Sequence, residues 1–372
     1  MYFQIVDNNQ TCKKMYANGI LADYVSDANL NKTWKHSSHL CDREDVDYAY
    51  LYTEGLIDSA CPSHMSSAWE RITARVSAIM RSVTASRCDI ETSCIYDYIP
   101  DNFLDDFLKM RSVIIENAFE TNACPLHHDI LKKAHILTEE MNSSLNIYDS
   151  SLKRTNYNIF GTKTGRLSNA KSQIPILTLK KEKRHLLKPS NDLFVEFDFN
   201  AAELRTLLAL SDKEQPSGDI HEWNLLHAAD EDLTREEMKK RTFAWLYNPE
   251  SRDKLLEGLY NRDAVKDMYY DKTHVRTPFK RKIETDDRRA LNYIVQSTSS
   301  DTCIEQAFRL REFFKNTKTR VCYLMHDSVI LDYAKQDQSK LLEARNIFAE
   351  TRFGRYEVNA SLGKDFGSMR KI

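Results

Sequence analysis

A strand pattern that ends in a carboxylate and turns at once into a helix pattern constrains this chain more than any other feature. In NDLFVEFDFNAAELRTLLALS, Asn191 to Ser211, Phe194, Glu196 and Asp198 alternate with Val195, Phe197 and Phe199. That period of two is a strand. Leu204, Leu207, Leu208 and Ser211 then follow at helical spacing, with Asn200 as the expected cap. An ionised carboxylate at the end of a mostly buried strand is costly unless it is paired or metal-bound, so Asp198 needs a partner. A second polar interruption lies in RVCYLMHDSVILDY, Arg320 to Tyr333. A strand pattern runs into His326 and Asp327, turns, and resumes as Ser328 to Asp332. His326-Asp327 is either a plain turn, which Asp favours, or a site at a hairpin tip.

Net charge is -2 and excludes little, but its distribution is uneven. Residues 1–150 carry 22 acidic and 13 basic side chains, whereas residues 151–190 carry 10 basic ones and a single acid, Glu182. A cationic band beside an acidic segment suits a polyanion track, or is a solvated face. Six of the eight cysteines precede residue 125 and none forms a CxxC pair, which argues against cysteine-ligated zinc. With no signal peptide at the start, disulfides are not expected. The apolar runs are too short for a membrane span. The expectation is a soluble cytoplasmic protein with no membrane partner.

Residues 1–60 show short apolar clusters and no clear periodicity. Amphipathic helices are predicted over Ser67 to Val83, Phe103 to Phe119 and His127 to about Leu145, an α-helical module with little strand content. Phe160 to Pro175 reads as loop and is followed by the basic cluster Lys180 to Lys188. Helices are predicted to start at Asp219 and to cover Thr234 to Tyr247, Asp287 to Phe314 and Gln336 to about Phe353. Residues 248–287 are charged, broken by Pro249 and Pro278, and partly loop. Tyr356 to Phe366 reads as a terminal strand and a turn.

Two carboxylates at the ends of β structure, with cationic helices between them, fit metal-assisted phosphoryl transfer, in which Mg²⁺ takes rigid oxygen ligands and nucleotide phosphates. Arg235, Lys239, Phe243 and Tyr247 recur every four residues, so they share one slowly turning stripe, while Met238 and Trp245 fall nearer the opposite side. The stripe suits phosphates and a stacked base, and equally an ordinary amphipathic helix.

Five segments together resemble the catalytic region of the family A DNA polymerases, the group of the bacterial repair polymerase and of T7-like phage replicases. TKTGRLSNAKSQIP, Thr162 to Pro175, resembles the family's TxTGRLSS…QNIP element. DFNAAELR, Asp198 to Arg205, resembles DYSQIELR of motif A, and Asp219-Ile220-His221 matches the DIH that follows it. REEMKKRTFAWLYN, Arg235 to Asn248, resembles RRxxKxxxFGxxYG of motif B. RRALNYIVQSTSSD, Arg288 to Asp301, resembles RxxxNxxxQGTAAD. LMHDS, Leu324 to Ser328, resembles motif C, usually VHDE. The family's order is kept, and the resemblance covers residues 130–372.

The resemblance implies an α+β right-hand polymerase with an antiparallel-sheet palm, helical fingers and a helical thumb. Its parts would be an N-terminal segment and thumb over residues 1–155, a first palm part over 156–211, fingers over 212–287 and a second palm part over 288–372. It implies template-directed addition of deoxynucleotides to a primer 3′-hydroxyl. Asp198, Asp327 and the Phe199 carbonyl would hold two Mg²⁺ ions, with Mn²⁺ as a substitute. Glu203 would exclude a 2′-hydroxyl. His221, Arg235 and Lys239 would hold the triphosphate, and Lys239 would also protonate pyrophosphate. Phe243 would pack under the nascent pair and Tyr247 would sit by the templating base. Arg166, Arg288, Asn292, Gln296 and His326 would seat primer–template DNA.

Departures from the family pattern are Thr242, Ala244 and Asn248 in motif B and Ser328 in place of the motif C glutamate. No DxE strand of exonuclease type stands upstream. Proofreading is not expected in this chain, and a separate exonuclease or processivity subunit is an expected partner. The compact central region suggests a phage or mobile-element replicase. Two other readings remain. One is a single-subunit RNA polymerase, against which Glu203 argues; the other is a polymerase-derived, non-catalytic DNA-binding subunit. No P-loop or nuclease-type acidic cluster supports a helicase or nuclease.

Overall fold

A computed structural model describes residues 1–6, 14–23, 29–86, 88, 95–143, 155–169, 175–228 and 232–372. Residues 170–174, inside the expected DNA-binding loop, lie outside the described residues. The chain divides into two compact units, Met1–Glu140 and Met141–Ile372.

The first unit is not purely helical. Strands β1 (Phe3–Ile5), β2 (Met15–Ala17) and β3 (Ile20–Ala22) form an antiparallel sheet in the segment that showed no periodicity. Three-residue strands are too short for alternation to register in the sequence. Helices α1 (Ser66–Ala85), α2 (Asp101–Thr121) and α3 (His128–Ser143) follow the predicted amphipathic patterns to within a few residues. Trp69, Ile72, Leu104, Phe107, Leu108, Ile114 and Ile115 make the core, with Trp69 stacked on Phe107 at 5.6 Å between ring centroids.

The second unit is built on a five-stranded sheet whose paired strands all run antiparallel. Its strands are β4 (Leu193–Phe199), β7 (Arg320–Met325), β8 (Ser328–Tyr333), β9 (Val358–Gly363) and β10 (Arg370–Lys371), in the spatial order β7-β8-β4-β9-β10. The central strand β4 is apolar on the side of Val195, Phe197 and Phe199. Phe199 stacks on Phe348 at 4.2 Å and meets Tyr356 edge-on. The other side carries Phe194, Glu196 and Asp198.

Around the sheet lie α4 (Ala202–Leu210), α5 (Ile220–His227), α6 (Arg235–Tyr247), α7 (Lys254–Tyr260), α8 (Arg262–Tyr269), α9 (Asp287–Phe314) and α10 (Leu341–Ala349). The predicted helix from Gln336 to Phe353 is shorter: a 3₁₀ turn occupies Lys335–Lys340, and the chain leaves α10 at Ala349 for a two-residue strand, Glu350–Thr351. Helix α9 matches its predicted span and packs on α4, α10 and β7. From Ser297 to Ala307 every residue of it is buried. Small hydroxyl side chains there let neighbouring elements approach closely, and Thr302 returns its hydroxyl to the Thr298 carbonyl.

Residues 248–287, expected as partly loop, contain α7, α8 and the hairpin β5 (His274–Arg276)–β6 (Lys282–Glu284). Leu256, Tyr260, Val265, Val275 and Ile283 bury with Leu204, Leu207, Leu208 and Trp245 in one cluster. Arg281 pins the hairpin to α9 through a bidentate pair with Asp301, Nε–Oδ2 2.7 Å and Nη2–Oδ1 2.9 Å, both side chains buried. Among the described residues no helix is long and apolar enough to cross a membrane.

Candidate active site

Strand register brings the two aspartates together. Ser328 pairs with Asp198 across β8 and β4, so Asp327 lies next to the end of β4, where its carbonyl accepts from the Phe199 N–H at 3.2 Å. The β7–β8 connection is a two-residue turn, His326-Asp327, with His326 exposed and at φ +55°. Both readings of HD thus hold in one place: it is a tight turn, and the turn presents Asp327 beside Asp198.

The electrostatics of this pair are unfavourable as they stand. The Asp198 carboxyl is pushed up to about 7 by burial, then by Glu196 and also by Asp327, against a hydrogen bond from Asn359. Burial likewise raises Asp327, although Arg166, His326 and a 3.4 Å hydrogen bond from Ser299 Oγ oppose it. Neither carboxylate has an ion-pair partner among the described residues. Among those residues no group of three or more His, Cys, Asp and Glu side chains is arranged to hold a metal ion by itself. Two adjacent, half-buried carboxylates that no ion pair neutralises among the described residues fit divalent cations that take their remaining oxygen ligands from a phosphate substrate.

The step from β4 into α4 takes two residues. Ala201 makes the turn in the left-handed region, φ +51°, ψ +56°, and is the N-cap without a side-chain bond. Asn200, expected as that cap, does something else. Its Oδ1 accepts from the Ile220 N–H at 3.1 Å and its Nδ2 donates to Asp219 Oδ2 at 3.0 Å, tying α5 to the end of β4. Arg205, fully buried, donates to the Asn200, Pro216 and Gly218 carbonyls at 2.8, 2.9 and 2.6 Å and holds the same corner.

Glu203 in the first turn of α4 is buried and accepts hydrogen bonds from Arg166 and from the Tyr247 hydroxyl. Its carboxyl is nonetheless raised, because burial outweighs both partners. Arg166 comes from a loop held to the hairpin by Tyr157, whose hydroxyl donates to the Leu324 carbonyl at 2.9 Å and accepts from its N–H at 3.1 Å. Gly165 has φ +75°, and a Cβ there would fall 2.4 Å from Arg281 Cζ. Only glycine lets this loop cross the guanidinium that fixes the β5–β6 hairpin.

Helix α6 opens with a capping box, Thr234 with Glu237. Met238, Thr242, Trp245 and Leu246 are buried, which turns Arg235, Lys239, Phe243 and Tyr247 outward on the stripe expected for them. Phe243 stacks on Tyr247 with rings 7° apart and meets the His221 ring at 5.6 Å. Asp219 caps α5 through the His221 and Glu222 N–H groups at 2.9 and 3.0 Å. It also pairs with Arg235, Nη2–Oδ2 2.5 Å. Burial works to raise the Asp219 carboxyl, but Arg235, Asn200 and the Glu222 amide hold it well below the usual range. Lys239 makes no ion pair among the described residues. The buried His221 Nδ1 has no hydrogen-bond partner, and burial lowers the imidazole to about 4.

Arg288, Asn292 and Gln296 form a stripe on α9, exposed at Arg288 and half-buried at the other two. It runs toward Ser299 and its bond to Asp327. The Asn292 Oδ1 is buried with no hydrogen-bond partner. Sequence reasoning assigned no role to Glu196, Asn359 or Ser299, and read Asp219 only as a helix start and the first residue of the DIH match, which its place as N-cap of α5 fits. The alternation did place Glu196 on the face of Asp198. Asn359 and Ser299 gave no signal, because their place depends on pairings between distant segments.

No family model matches the chain, and no curated protein matches it. Among solved structures it is similar to the polymerase domain of Pol1 from M. smegmatis in complex with DNA primer-template and dNTP. The TM-score is 0.51 and the identity 13%, over 84% of this chain and 66% of that one. The chain thus spans just under two thirds of that protein's length, and at this identity the likeness is one of fold: mixed helix and sheet, polymerase-like.

Proposed function

We propose that this chain is a DNA-directed DNA polymerase, a nucleotidyltransferase that extends a primer 3′-hydroxyl with deoxynucleotides. The observation that carries the proposal is the β8–β4 register, which sets Asp198 beside Asp327 in a polymerase-like fold. In this reading the sheet is the palm, the elements from α5 to the β5–β6 hairpin are the fingers, and the first unit supplies the thumb.

Asp198, Asp327 and the Phe199 carbonyl would hold two Mg²⁺ or Mn²⁺ ions. When bound, these ions neutralise phosphate charge and lower the pKa of the attacking hydroxyl. Arg235 leaves Asp219 for the triphosphate, exchanging one anion for another at little electrostatic cost. Lys239 binds the same phosphates and gives a proton to departing pyrophosphate. His221 offers its unpartnered Nδ1 to a phosphate oxygen. Phe243 packs under the incoming sugar and base, and Tyr247 yields its place by the templating base. Glu203 occupies the volume a 2′-hydroxyl needs. Arg166, Arg288, Asn292, Gln296 and His326 hold the primer–template. Proofreading is assigned to no residue of this chain.

Primer extension by the purified chain on a primed template with four deoxynucleotides tests the reading. Wild-type protein is expected to extend the primer. Asp198→Asn and Asp327→Asn are expected to remove extension while leaving DNA binding largely intact. Undiminished extension by either variant rules the assignment out.

A further inference from the structure

Glu196 and Asp198 stand two residues apart on β4, on the same side of its pleat. The register sets Ser328 opposite Asp198 and Ser361 opposite Glu196. Both serines turn to the glutamate: Ser328 Oγ donates to Oε1 at 3.1 Å and Ser361 Oγ donates to Oε2 at 3.0 Å. Two neutral hydroxyls orient the carboxylate without cancelling its charge. Each oxygen keeps an acceptor site, since a carboxylate offers about four.

Ser328 and Glu196 are diagonal neighbours across one ladder. Acids at both positions would place like charges side by side. One acid and one hydroxyl is the stable combination, and either strand can supply the acid. The resembled family carries it at the position of Ser328; here it stands on β4.

We propose that Glu196, standing beside the Asp198–Asp327 pair rather than as a third ligand of it, supplies from β4 the auxiliary negative charge absent from position 328 on β8. The proposal rests on the polymerase reading above, and it makes Ser328 one half of an exchange rather than a loss.

The test is Mn²⁺ binding to the full chain with dideoxy-terminated primer–template DNA and the matching deoxynucleotide, read from the electron paramagnetic resonance signal of free Mn²⁺. Glu196→Gln is expected to weaken Mn²⁺ affinity about tenfold, the scale of a group that supports the ligands. The exchange Glu196→Ser with Ser328→Glu is expected to restore it. Thermal melting checks the fold of each variant. If the exchanged protein melts early, Glu196→Asp replaces it as the charge-keeping variant. Wild-type affinity in Glu196→Gln overturns the proposal. So does a loss that the charge-keeping variant does not repair, since Glu196 would then serve only to hold the serines. Asp198→Asn separates the two levels. If it loses Mn²⁺ binding while Glu196→Gln does not, only this proposal fails; if it binds like wild type, the polymerase reading fails with it.

Discussion

Glu203 is held from two sides before any substrate arrives, by Arg166 from the loop and by Tyr247 from α6. The side chain is therefore fixed rather than free to swing away. On the proposed reading, Glu203→Ala opens the space for a ribose. Ribonucleotide incorporation relative to deoxynucleotide should rise in single-turnover assays, and an unchanged ratio removes Glu203 as the gate. His221 allows a second prediction at the same scale. Its folded value of about 4 lies below the ordinary 6.5, so the unfolded chain binds more protons between the two. The neutral imidazole's contribution is complete above pH 6.5 and is lost as pH falls toward 4. His221→Gln should flatten that part of the stability profile by on the order of 1–3 kcal/mol. Urea unfolding of both proteins at pH 4.5 and 7.5 measures the difference; parallel profiles would show that the imidazole is not held neutral.

Helix α9 joins the parts of the second unit, and its buried charge is the most exposed to failure. Replacing one member of the Arg281–Asp301 pair strands the other in the interior. Asp301→Asn should cost about 3–5 kcal/mol, whereas an apolar replacement of both residues should cost far less; denaturant midpoints of the three proteins decide. Legibility in the sequence followed element length. Helix α9 and the long helices of the first unit read correctly because many turns repeat one pattern. Helices α7 and α8 did not, because each is only about two turns long and lies in a charged stretch, with Leu256 and Tyr260 buried in the first and Val265 in the second. The β5–β6 hairpin escaped for the same reason. In the site, the stripe of α6 was readable from spacing alone. The neighbours of Asp198 were not. Asn359 and Ser328 reach it only through strand pairing, and Asn200 left its expected cap because Ala201 makes the turn in its place.

At the scale of the molecule, charge is segregated although its sum is near zero. Lys180, Lys181, Lys183 and Lys188 are all exposed in the basic band. If they follow a phosphate backbone, changing all four to Gln should reduce the slope of log affinity against log salt by up to about 0.9 for each lost contact. Fluorescence anisotropy on primer–template DNA between 50 and 200 mM salt, as an order-of-magnitude range, reads this slope; an unaltered slope assigns the lysines to solvent. The two-residue passage at Asn200 and Ala201 carries a different lesson. Asp198 and Glu203 are mounted on one stiff lever, fulcrumed where an alanine is bent into a glycine's conformation. On the polymerase reading, choice of sugar and competence for chemistry are geared together. Trimming the Glu203 side chain can relax the first alone, but any change that flexes the main chain there must detune both.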